Sequence, residues 1–93
     1  MSLARRELIS IRRMMREGHY VLTHHALDEM IADDLHVQDI EHIVLTGSVI
    51  RVEADRDSGE RKFVILGNSR DGFEAEVAAK IKGLVVIITV YLL

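Results

Sequence analysis

The spacing of apolar residues changes at Gly47, and this change constrains the fold of the chain more than any other feature. Before Gly47, apolar residues recur every three or four positions, and after it they alternate with polar residues. The first spacing is typical of helices that bury one stripe, and the second of strands that bury one face. The sequence therefore predicts an α+β fold in which three N-terminal helices precede a four-stranded antiparallel β-meander, with the helices packed on one sheet face.

Three helices are predicted in the first half of the chain. Gly18 and Gly47 suit helix ends, because glycine adopts backbone conformations that other residues avoid. Thr23 can cap the second helix, since its hydroxyl can accept a free backbone N–H. The predicted segments are a first helix over about 8–17, a short extended connector over 20–22, a second helix over 24–32 and a third over 36–46.

The second half of the chain alternates like a sheet, with glycine-containing turns between the strands. The last strand is apolar on both faces except at Thr89 and Tyr91, which is typical of a central or doubly covered strand. The strands are predicted at 49–54, 62–67, 73–81 and 84–92.

Composition limits the class of protein. The 93 residues fit one domain, with a core over about 8–91, and the 48% apolar share supports that core. Without cysteine, disulfides and thiolate–zinc sites are excluded, and we predict no cofactor. No apolar signal-peptide stretch is visible, and the apolar run at 84–93 is too short to span a bilayer, so we expect a cytoplasmic protein without membrane contact.

Charge is unevenly distributed along the chain. The net charge of −3 disfavours broad binding of nucleic acid, since domains that grip phosphates are usually basic. Residues 1–16 nevertheless carry five arginines against one acid. The predicted first helix is therefore the place where RNA or an acidic partner would bind, unless its arginines form an ordinary solvated helix face.

Histidines are the first candidates for chemistry. His24 and His25 open the second helix, where the helix dipole disfavours a charged ring and leaves a neutral imidazole that can act as a base. Exposed histidines at helix starts are also common without any function. The pairs His24/Asp28 and His42/Asp39 have helical spacing but no third ligand, so they predict solvated charge pairs and no metal site.

The predicted sheet offers a second candidate. If Thr89 and Tyr91 share the outer face with Glu76, the three side chains form a polar cluster. The alternative is structural, because threonine and tyrosine are good strand residues. Strict alternation would also expose Val85 and Ile87 on that face, as a dimer contact or partner groove would require.

Several short motifs together suggest a family. They are Thr23-His24-His25-Ala26, Asp39-Ile40-Glu41, Gly47-Ser48-Val49-Ile50, Val64-Ile65-Leu66-Gly67 and Ile88-Thr89-Val90-Tyr91. With them the chain resembles a small bacterial family of unknown function with a Thr-x-His-Ala helix motif. That family is similar in layout to the RelE/barnase-like ribonuclease toxins.

The resemblance implies roles for particular residues. His25 would be a general base, Thr89 and Tyr91 would orient the substrate, and Arg51 or Arg61 would contact phosphate. The chain departs from the family at two positions, with Glu29 where arginine is usual and Glu76 where histidine is usual. Both departures remove positive or titratable character from a site that must stabilise negative charge.

Two functions remain open at this point. One is a toxin-type ribonuclease component with weak or lost activity, whose partner would be an antitoxin-like protein. The other is a non-enzymatic module that binds a partner protein or a second copy of itself. The position of His25 relative to Glu76, Thr89 and Tyr91 distinguishes them, because only the enzyme requires all four in one concave pocket.

Overall fold

The computed structural model describes residues 3–93 and confirms the α+β class with three helices. The helices lie within three residues of their predicted bounds, and the four predicted strands are each displaced by one residue at most. The elements are α1 (Arg5–Arg16), β1 (Tyr20–Leu22), α2 (His24–Ala32), α3 (Val37–Thr46), β2 (Ser48–Ala54), β3 (Arg61–Asn68), β4 (Glu74–Ile81) and β5 (Val85–Leu92).

The sheet differs from the predicted four-stranded antiparallel meander. It has five strands in the order β1-β5-β4-β3-β2, and β1 pairs parallel with β5. The predicted connector at 20–22 is therefore wrong, because Tyr20–Leu22 is a strand that pairs with residues 85–87. Three residues are too few to show a period of two, so the alternation did not reveal this strand. The helices are interspersed with strands, since α1 precedes β1.

The core lies between the helices and one face of the sheet. α3 packs on β3 and β4, α2 packs on β5, and α1 packs on α3. The largest fully buried side chains come from α1, α3 and the sheet: Ile11, Met15, Ile40, Ile43, Val44, Ile65, Val77, Val85, Ile87 and Val90. The opposite face of the sheet carries the polar side chains of β2 to β5.

A β-bulge in β5 changes which of its residues are buried. Ala78 pairs with Thr89, whereas Ala79 pairs with Ile87, so Ile88 is an extra residue in β5. The prediction that Val85 and Ile87 share an exposed face with Thr89 is wrong, because both are 0% exposed. Strict alternation does not allow for the bulge. Because of the extra residue, the odd-numbered residues before Ile88 face the core and those after it face outward. Tyr91 and Thr89 do lie on the outer face.

α2 covers the part of β5 that β1 leaves unpaired. Thr23 donates its backbone N–H to the Ile87 carbonyl at 3.0 Å and its hydroxyl to the Ile88 carbonyl at 2.9 Å. The Val90 N–H donates to Oε1 of Glu29 at 2.8 Å. Because these three bonds satisfy the strand edge, they fix α2, and with it His25, beside the end of β5.

Candidate functional site on the open sheet face

The open face of the sheet has a shallow cavity of about 110 Å³. A row of residues that pair in register across four strands runs through it, namely Arg51, Val64, Ala78 and Thr89. The two central residues are small, whereas the residues around them are long and polar, and this difference in size creates the depression. The full lining is Arg51, Glu53, Lys62, Val64, Glu76, Ala78, Thr89 and Tyr91.

Arg51 is the main cation of this cavity and is held by two carboxylates. Its Nη2 donates to Oε1 of Glu76 at 2.8 Å, and its Nε donates to Oε1 of Glu53 at 3.1 Å. Both hydrogen bonds raise the pKa of Arg51, the one to Glu76 more than the one to Glu53, so the guanidinium stays charged. Lys62 adds a second cation, with Nζ 4.0 Å from Oε2 of Glu53. The cavity therefore has two positive and two negative side chains.

Tyr91 forms one side of the cavity and reaches into solvent. It pairs with Glu76 across the β4–β5 ladder and is 61% exposed. Within residues 3–93, its hydroxyl has no hydrogen-bond partner, so it can donate to a ligand. The exposed ring also provides a face on which a planar group can stack.

His25 lies outside the cavity, on α2 beside the edge of β5. Its side chain is 65% exposed, and Nε2 lies 3.4 Å from Oε1 of Glu29. The same Glu29 oxygen accepts from the N–H of Val90, the residue between Thr89 and Tyr91. The structure thus brings Glu76, Thr89 and Tyr91 together in one cavity and connects His25 to them only through Glu29 and β5.

The two arginines suggested as phosphate contacts occupy different environments. Arg51 lines the cavity, whereas Nη1 of Arg61 pairs with Oε2 of Glu7 at 2.8 Å. The Arg61 guanidinium also lies 5.1 Å from the ring centroid of Phe63. Both arginines are paired within the fold, and they differ in that Arg51 lines the cavity of the open face whereas Arg61 does not.

Sequence reasoning missed Lys62, Glu53 and the structural role of Glu29. Glu53 follows Arg51 by two positions in β2, so alternation could have placed it on the same face, whereas Lys62 precedes an apolar run and is placed only by its pairing with Glu53. The contact between Glu29 and Val90 has no local signal, because it depends on where α2 lies along the sheet.

Asp39 and His42, which have the spacing of metal ligands, are used by the fold. Burial raises the pKa of Asp39. Hydrogen bonds from the Arg70 side chain and from the backbone N–H groups of His36 and Arg70 together have a larger, opposite effect and bring the pKa down to about 2. Nδ1 of His42 lies 2.8 Å from the Asn68 carbonyl oxygen. Within residues 3–93, no group of three or more histidine and carboxylate side chains is placed to hold a metal ion.

A larger cavity of about 190 Å³ lies at the start of α3, between the α2–α3 and β3–β4 connections. Its buried polar residues are Asp39 and Ser69. Both are hydrogen-bonded within the fold, Asp39 to Arg70 and His36, and Ser69 through its hydroxyl to the N–H of Phe73. The buried polar groups of this cavity are therefore used by the fold, and its other polar residues, Asp33, Asp34 and Asp71, are exposed carboxylates.

Comparison with known proteins gives one match. Residues 22–92 match the family described as Domain of unknown function (DUF4258). The match includes α2, α3 and strands β2 to β5, begins at the last residue of β1 and leaves out α1. No curated protein and no solved structure matches the chain. In the part of the chain that the structure describes, no helix is long and apolar enough to cross a membrane.

Proposed function

Because the chain belongs to this DUF4258 family, whose description assigns no activity, we propose a function from the site itself: a RelE/barnase-like, toxin-type ribonuclease domain of weak activity that holds RNA on the open sheet face. The observation that carries the proposal is the convergence of Arg51, Glu76, Thr89 and Tyr91 in one cavity. A cation, a free hydroxyl and an exposed aromatic ring are the groups that bind a phosphate and an unstacked base.

Arg51 supplies the phosphate contact. It is 51% exposed at the side chain, and Glu76, which is 21% exposed, holds its guanidinium over the cavity. The N–H groups not used by Glu53 and Glu76 can donate to phosphate oxygens. The Tyr91 hydroxyl donates from the other side, and Thr89 lies at the β5 end of the row that begins at Arg51.

His25 supplies the base. In the proposed reaction its imidazole ring takes the proton of a 2′-hydroxyl, the 2′-oxygen forms a bond to phosphorus, and the bond to the 5′-oxygen breaks. The leaving oxygen takes a proton from water, and the product is a cyclic phosphate. Glu29 acts as a positioning residue, because it contacts the His25 ring and is itself fixed by the Val90 N–H.

Weak activity follows from the charges of the cavity. A phosphate must compete with Glu53 and Glu76 for Arg51, and the two carboxylates cancel the charges of Arg51 and Lys62. His25 also lies outside the cavity, so the substrate must extend across β5 to reach it. Both features make the transition state less stabilised than in a cavity of net positive charge.

The test is cleavage of a quenched fluorescent single-stranded RNA by the purified protein. We expect slow cleavage by the wild type and a loss of about 10²–10⁴-fold, or to background, in His25→Ala. His24→Ala is the matched control, because His24 is the adjacent exposed histidine at the start of the same helix, and it should retain activity. Two outcomes would refute the proposal. One is equal cleavage by the wild type and His25→Ala, and the other is wild-type cleavage no faster than that of an Arg51→Ala/His25→Ala double variant.

A second candidate function is a non-enzymatic interaction module. The position of His25 favours it, because the enzyme requires His25, Glu76, Thr89 and Tyr91 in one pocket and His25 lies outside the cavity that holds the other three. This candidate predicts no cleavage by the wild type and a binding partner for the chain.

A further inference from the structure

The outer face of α1 is a basic surface built around an exposed isoleucine. With 3.6 residues per turn, five exposed residues fall within about 100° of the helix circumference. They are Arg5, Arg6, Ile9, Arg13 and Arg16. Ile9 lies near the middle of this face and is 56% exposed, while Leu8, Ile11 and Met15 on the opposite side are buried in the core. We call this surface the basic face.

The charges of the basic face are not balanced within the chain. Among residues 3–93, no carboxylate forms an ion pair with any of its four arginines. Glu7 pairs with Arg61, and Glu17 lies 3.5 Å from His19. The basic face therefore presents positive charge around an apolar centre, and such a surface is complementary to an acidic surface that also has an apolar centre.

α2 presents a surface of that kind on the same chain. Leu27 is 37% exposed and Ile31 is 78% exposed, and their spacing of four residues places them on one side of the helix. Asp28 is exposed beside them, and Asp33 and Asp34 are exposed at the end of the helix. We call this surface the acidic face. Glu29 does not belong to it, because its carboxylate accepts the Val90 N–H.

We propose that two copies of the chain associate through these surfaces, with the basic face of one copy on the acidic face of the other. The two faces have opposite charge, both have exposed aliphatic side chains at their centres, and helices of 12 and 9 residues are about 18 and 14 Å long. In an arrangement with two-fold symmetry the contact is made twice, once in each direction.

A second copy fits these surfaces better than RNA does. RNA would engage the arginines of the basic face but would leave Ile9 against a charged backbone, and it would leave the acidic face uncovered. A second copy covers both faces with matched charge and buries the three exposed aliphatic residues. Since the faces are small and charged, the dimer should be weak and sensitive to salt.

The experiment is sedimentation equilibrium across a concentration series, without RNA, so that its outcome is independent of the proposed ribonuclease activity. The wild type should dimerise reversibly at low salt, and its dissociation constant should be at least about tenfold larger at high salt. Arg13→Glu/Arg16→Glu and Asp28→Arg/Asp33→Arg should each be monomeric. Arg56→Glu, in the exposed β2–β3 connection, is the control and should dimerise like the wild type.

Mixing the two charge-reversed variants is the decisive step. Each variant alone repels itself, but the pair has complementary faces again and should form a heterodimer. Circular dichroism and melting temperature show whether each variant remains folded. The proposal is overturned if the wild type is monomeric at low salt, if either charge reversal leaves the dimer intact, or if the mixture of folded variants stays monomeric. RNA binding by a monomeric wild type that is lost in Arg13→Glu/Arg16→Glu would assign the basic face to RNA instead.

Discussion

Arg51 and Glu76 determine together what the open face of the sheet can bind and how tightly. The 2.8 Å bond between them orders a guanidinium that would otherwise sample many rotamers in solvent. The same bond uses one guanidinium N–H and offsets part of the positive charge, so a phosphate gains less from Arg51 than it would from an unpaired arginine. Glu76 therefore orders Arg51 and at the same time weakens its attraction for a phosphate.

Asp39 shows the other use of a carboxylate at the residue scale, as a structural group. Its side chain is 6% exposed and holds Arg70 at 3.1 Å as well as the start of α3. The folded pKa of about 2 is below the ordinary value of 3.8, so the ionised form stabilises the fold above pH 3.8. That contribution, on the order of 2 kcal/mol, should be lost as the pH falls from 3.8 to about 2.

The prediction is that Asp39→Asn lowers the free energy of unfolding at neutral pH and much less at pH 2, since at pH 2 the wild-type carboxyl is about half protonated in the folded state and almost fully protonated in the unfolded state. Urea titrations of both proteins at the two pH values measure the difference. Because other acids also titrate in this range, the quantity to compare is the gap between wild type and variant. A gap that stays constant with pH would show that the ionised Asp39 contributes nothing.

At the scale of elements, β1 and α2 together complete the edge of β5. β1 pairs with the first three residues of β5, and α2 covers the remainder with Thr23 and Glu29. Thr23 also caps α2 by accepting the Ala26 N–H at 3.1 Å. Thr23 and Ala26 therefore both have structural roles, since Thr23 caps the helix and Ala26 is 0% exposed in the core.

Glu29 gives the prediction at this scale. Glu29→Ala leaves the N–H of Val90, a residue that is 1% exposed, without its acceptor, and should cost about 1–3 kcal/mol of stability. Glu29→Gln keeps an oxygen that can accept this bond and should lose clearly less. Chemical denaturation of the two variants measures the difference, and hydrogen exchange at Val90 should speed up only in the alanine variant. Equal stability of the two variants would show that the bond is not needed.

The elements also show how far the sequence predicts this structure. Long periodic segments and glycine stops are local signals, so the three helices and the four longer strands were predicted. β1 was missed because three residues have no measurable period. The exposure of Val85 and Ile87 was predicted incorrectly because the bulge at Ile88 changes the side-chain parity.

The same reasoning explains which parts of the site were predicted. Glu76, Thr89 and Tyr91 were expected on one face, and they share it because β4 and β5 form a hairpin whose register is local. The position of His25 could not be predicted. It depends on the lateral placement of α2, which is set by β1 and by the Glu29–Val90 bond, and both are long-range features.

At the scale of the whole molecule, charge and exposure divide the described surface into three regions of different charge. The open sheet face has balanced charges in a small cavity, the basic face of α1 has unbalanced positive charge, and the acidic face of α2 has negative charge. A net charge of −3 conceals this division. The division is why the proposals for RNA binding and for self-association concern different surfaces and can be tested separately.

The most direct test of the central claim, that RNA binds on the open sheet face, is an NMR titration of the ¹⁵N-labelled protein with a short single-stranded RNA. It works even if cleavage is very slow. We expect saturable shifts of the backbone amides of Arg51, Glu76, Thr89 and Tyr91, and a loss of these shifts in Arg51→Ala. Shifts confined to the amides of α1, or no shifts at low salt, would contradict the account.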